Sequence, residues 1–138
     1  MSYRNFLTIA AIIAFVFGLG MIFMPTQLFA LYSVEMNAGG ALVGQLLGAA
    51  LLAFGVLNWL GRSVSDAPGR QALVTANLVG DAIGFVIALI GQLNGATGVN
   101  ALGWSTVAIY FLLAAGFAYF LFMSKEAPLA TMAGGSRS

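Results

Sequence analysis

The sequence predicts an all-α, polytopic membrane protein: an antiparallel bundle of four transmembrane helices with a short interfacial helix in its first outer loop. Three observations predict it. Of 138 residues, 61% are hydrophobic and 7% charged, whereas a soluble domain needs about a quarter charged residues to face water. Four apolar runs, at about 6–24, 41–60, 72–91 and 102–123, approach the ~20 residues that cross a hydrocarbon core. The polar and turn-forming residues gather in the breaks between those runs. Residues 1–124 therefore form one domain, with a short cytoplasmic tail, 125–138, that reads as disordered.

The first run follows Arg4 and ends at Pro25. A secretory signal also begins with a basic residue and an apolar stretch. This stretch is longer than the ~7–15 residues of a signal core, and Leu28-Phe29-Ala30 puts a large side chain where cleavage prefers a small one, which favours a retained span. Beyond Pro25, residues Leu28, Phe29, Leu31 and Tyr32 make an apolar stripe, with Gln27 and Glu35 on other faces. Proline suits the first turn of a helix, so a short helix lying at the outer interface is expected, as an anchor or as a lid over a pocket.

The second run opens after Gly39-Gly40. Gly40, Gly44 and Gly48 recur every four residues, and Gly55 returns to the same face two turns beyond Gly48. Asp66-Ala67-Pro68-Gly69 breaks the chain before the third run, where Gly80, Gly84 and Ala88 repeat that spacing. Residues 94–98, Asn-Gly-Ala-Thr-Gly, precede the fourth run, in which Ala114, Ala115 and Ala118 surround Gly116. Lipid removes the hydrophobic drive between inserted helices, so rows of small residues read as contact faces where backbones approach closely. The same rows could serve a homo-oligomer or another membrane protein. Four helices in one chain can satisfy each other, and contacts within the chain are the expectation.

Orientation follows from the basic residues, which are retained on the cytoplasmic side. Arg4 precedes the first span, Arg62 and Arg70 lie between the second and third, and Lys125 and Arg137 follow the fourth; the other two connections carry none. Both termini are expected to be cytoplasmic. Tyr3, Trp59 and Tyr119 then fall near the inner boundary, and Tyr32 and Trp104 near the outer one, where amphipathic rings prefer to sit.

Chemistry is narrowed by what is missing. With no cysteine and no histidine, no disulfide, Cys/His zinc site, His-ligated haem or Ser-His or Cys-His nucleophile can be built. A net charge of +1 gives no basic surface for nucleic acid. Glu35 and Asp81 stand on different elements, and Asp66 and Glu126 lie in connections beside Arg62, Arg70 and Lys125, so no carboxylate pair is apparent. The chain reads as non-enzymatic, without catalytic residues, metal or cofactor.

Asp81 is the one ionisable residue inside a span, and a charge at that depth costs a few kcal/mol unless it finds a partner or has a role. It sits roughly 13 Å along its span at about 1.5 Å per residue, close to the midplane. Asn77 is one turn away on the same face, and Tyr110 of the fourth span is expected at a similar height. Gln45, Gln92, Ser105 and Thr106 form an outer polar level, and Asn58 and Asn77 an inner one. Interhelical glue and a ligand or proton site formed by Asp81, Asn77, Tyr110 and Gln45 are both open.

The Pro25 break, the glycine-rich stretch from Gly39 to Ala49 and the closing Gly116-Phe117-Ala118-Tyr119 together give a layout that resembles small four-helix bacterial inner-membrane proteins, including the DoxX-like group. Small multidrug transporters are similar in size but depend on an acid in the first span, which has none here. The resemblance implies a multi-pass protein of the bacterial inner membrane and carries over no catalytic residue. The expected function is an accessory or packing subunit, or a binder of an apolar ligand between helices; the alternative is a small-molecule or proton-coupled transporter centred on Asp81.

Overall fold

A computed structural model describes residues 1–123 and gives an all-helical chain over that range. The expected tail, with Lys125, Glu126 and Arg137, lies outside the described residues. Helices α1 (Tyr3–Phe23), α3 (Ala38–Gly61), α4 (Ala67–Leu93) and α5 (Gly103–Met123) are each long and apolar enough to cross a membrane. The chain is a multi-pass membrane protein. The short helix after Pro25 is α2 (Pro25–Ala30), and a single 3-10 turn spans Gly95–Thr97.

Local sequence sets the helix starts. Ser2 Oγ accepts from the Asn5 amide, Asn37 Oδ1 from Gly40 and Asp66 Oδ2 from Gly69, so each side chain satisfies one of the amides that a helix N-terminus leaves unpaired. Asp66 moves the start of α4 to Ala67, five residues before the apolar run. Ala67, Pro68 and Gly69, expected as a break, form its first turn, where proline's missing N–H is no loss. Ser33, at φ 61°, turns the chain after α2, and Gly98, at φ 71°, supplies the left-handed residue before α5.

The four long helices pack as two pairs, α1 with α3 and α4 with α5. The α1–α3 crossing is close: a Cβ built on Gly48 would lie 2.8 Å from the Gly18 carbonyl oxygen, and one on Gly18 would lie 3.0 Å from that of Gly48. Farther along, Gly55 receives the Phe15 ring. In the other pair, Gly84 of α4 receives the ring of Tyr110.

The pairs meet at the end that carries the N-terminus. Phe6, Leu7, Ala10, Leu73, Val74 and Phe117 form the buried cluster there. The Phe6 ring sits on Gly116 and meets Phe117 edge-on at 4.8 Å between centroids. Arg62, just past α3, stacks 3.5 Å over Trp59 and donates to Thr8 Oγ1 on α1. Arg70 lies over the Tyr3 ring at 4.1 Å. At the opposite end Asn100 joins the pairs: its Nδ2 donates to the Leu31 carbonyl (2.8 Å) and to Ser33 Oγ (3.0 Å), and its amide donates to the Tyr32 carbonyl (3.1 Å).

Candidate functional site

Two helix pairs joined at both ends and separated between them enclose a cavity of about 550 Å³. All four long helices line it, and Leu28, Phe29 and Tyr32 roof it. Its walls are mostly aliphatic and aromatic, and ligand cavities of ~300–1,000 Å³ have this character, with a few polar groups to fix orientation.

The cavity opens sideways. Its exposed lining residues all belong to α3 and α4: Leu47, Ala50 and Phe54 on one, Gly80 and Ile87 on the other. Those on α1 and α5 are buried or half-buried. Consecutive helices α3 and α4 touch near their junction, where Gly61 packs on Leu73, and then diverge. The slot between them opens on the outer face of the bundle at mid-helix height.

The floor is polar. Asn58 and Asn77 are 3% and 5% exposed. Asn77 Nδ2 donates to the Leu73 carbonyl one turn back (2.9 Å), which leaves its Oδ1 to accept from Asn58 Nδ2 (3.0 Å). Asn58 Oδ1 is sealed in with no hydrogen-bond partner. One turn above Asn77, Asp81 lines the cavity half-buried. No Lys or Arg contributes to the lining, and no cluster of three metal-ligating side chains forms among the described residues. Tyr110 lines the same cavity, its ring seated on Gly84. Toward the roof, Gln92 Nε2 donates to the Asn100 carbonyl (3.1 Å), and Thr106 donates to the Tyr32 hydroxyl (3.4 Å).

Of the four residues expected to share a site, Asp81, Asn77 and Tyr110 line one cavity. Gln45 does not: its Nε2 donates to the Ile22 carbonyl (3.0 Å), tying α3 to α1 away from the lining. The glycine faces also divide. Gly48, Gly55 and Gly84 meet neighbouring long helices, and Gly44 meets Phe29 of α2. Gly40 touches only Asn37 and Met36 of its own approach. Gly80 packs on no described residue of another helix in this chain. A Cβ there would meet nothing within 4 Å, because the helix turns that residue into the cavity mouth.

Sequence reasoning missed Gly18, although Ala10, Ala14 and Gly18 stand four apart on α1 and are all buried. Their spacing was the available signal. No family model matches the chain, and neither a curated protein nor a solved structure matches it.

Proposed function

We propose that this is a small, non-enzymatic integral membrane protein that binds an apolar molecule between its helices, reached from the bilayer. We place it in the bacterial inner membrane with both termini cytoplasmic, on the distribution of Arg4, Arg62, Arg70, Lys125 and Arg137. One observation carries the binding reading: the 550 Å³ cavity is apolar and its opening is lateral, between α3 and α4. Water-soluble cargo would need a path along the bundle. Here Asn58, Asn77 and Phe117 form the floor and Tyr32 and Phe29 the roof, so the arrangement favours binding over a through-path centred on Asp81.

The test uses methyl-labelled protein in nanodiscs titrated with naphthalene. Saturable nuclear Overhauser effects are expected from the probe to the methyls of Leu51, Ile109 and Leu113, which line the cavity. Effects confined to outward-facing Val43 and Leu112 would refute the reading, since those side chains are exposed and outside the lining.

A further inference from the structure

We infer that the ligand is a membrane-soluble amine, held with its ammonium group on the Asp81 carboxylate and its apolar body along the cavity. The inference rests on the binding reading above and names the ligand class. Among the described residues that line the cavity, Asp81 is the sole one with a carboxyl group, and no lysine or arginine accompanies it. A buried carboxylate needs a cation or a set of donors to offset its lost hydration. No lysine or arginine among the described residues of the lining supplies the cation. The nearest polar residue on its own helix face, Asn77, spends its Nδ2 on the Leu73 carbonyl and its Oδ1 on Asn58.

Other residues of the lining suit a cation at Asp81. Tyr110 from α5 shares the cavity, bringing a hydroxyl that can donate to the carboxylate and an aromatic ring whose face attracts a cation. From α3, Ala50, Leu51 and Phe54 supply apolar wall, and Gly80, next to Asp81 in sequence, has open space where a side chain would stand. An anionic molecule would meet a lining that holds a carboxyl group and, among the described residues, no base. An amine gains a charge-assisted hydrogen bond, roughly twice as strong as a neutral one.

Three probes of one shape separate the possibilities: 4-phenylbutylamine, 4-phenylbutan-1-ol and 4-phenylbutanoate, titrated calorimetrically into nanodisc-embedded protein with empty nanodiscs as blank. The amine is expected to bind about tenfold tighter than the alcohol, the equivalent of ~1.4 kcal/mol, and the carboxylate weakest. In Asp81→Asn the amine's advantage over the alcohol is expected to vanish while alcohol binding persists, which also reports that the variant is folded. Should that variant not fold, the wild-type ranking and retention of amine preference in Asp81→Glu decide the matter. Equal affinity for all three probes would overturn the amine assignment and leave apolar binding standing. No saturable binding of any probe, the neutral alcohol included, would overturn the binding reading itself.

Discussion

Asn58 and Asn77 join α3 to α4 through one buried hydrogen bond of 3.0 Å, placed where the two consecutive helices begin to separate. Toward the junction Gly61 packs on Leu73, and on the other side Phe54 and Asp81 line the cavity. The pair ties the two helices at the floor of the slot, and the Asn77 amide is oriented by a second bond, to the Leu73 carbonyl.

Removing one member should strand the other. Asn77→Leu leaves Asn58 without a partner on either amide atom, since its Oδ1 already has none. A destabilisation of about 1–2 kcal/mol is expected, while Asn58→Leu/Asn77→Leu together should cost less than the two singles summed, with a coupling of ~0.6–1.7 kcal/mol. A double-mutant cycle on unfolding in mixed micelles reads both values.

Glycines of similar spacing should respond oppositely. Gly48→Ala drives a Cβ against the Gly18 carbonyl oxygen at 2.8 Å and Met21 Cβ at 2.9 Å, contacts that backbone cannot easily relieve. A cost of about 1–3 kcal/mol is expected from overpacking. Gly80→Ala meets nothing within 4 Å. It should be neutral or stabilise by up to ~1 kcal/mol through helix propensity alone. Thermal melting of both variants in one detergent makes the comparison.

The Asn100 clasp should govern the roof. Asn100→Ala removes side-chain bonds to the Leu31 carbonyl, Ser33 Oγ and the Leu102 amide. At about 0.5–1.5 kcal/mol for each bond, amide exchange through residues 31–34 should accelerate by at least tenfold. Exchange in the α1–α3 crossing should not change, because no bond there is lost. Hydrogen-exchange mass spectrometry in nanodiscs resolves the two regions.

Binding without a through-path has a consequence in vesicles. Proteoliposomes with an imposed pH gradient should lose it no faster than empty liposomes, and Asp81→Asn should leave that rate unchanged. Faster dissipation that the substitution abolishes would favour the transport alternative. A pH-sensitive dye enclosed in the vesicles reads the rate.

The architecture was legible in the sequence because hydrocarbon imposes length and apolarity on every span. Pro25 marked α2 for the same local reason, its fixed backbone angle. Pairing was less legible. A row of glycines shows that a face is small, and it does not show what lies opposite. Gly80 and Gly84 are one turn apart, yet Gly84 holds Tyr110 while Gly80 borders open space. Depth arithmetic brought Asp81, Asn77 and Tyr110 to one cavity, because height along antiparallel helices follows from residue count. Rotation does not follow from that count, and Gln45 faces α1 instead.

The central claim is that an apolar molecule occupies the space between the two helix pairs. Crystals grown in lipid and soaked with 1-bromonaphthalene test it most directly through the bromine anomalous signal. A peak bounded by Phe17, Leu51, Ile109 and Tyr110, lost when Gly80→Leu narrows the mouth, is the predicted result. Bromine found only on the outer faces of the bundle, with α3 and α4 in contact along their length, would contradict the account.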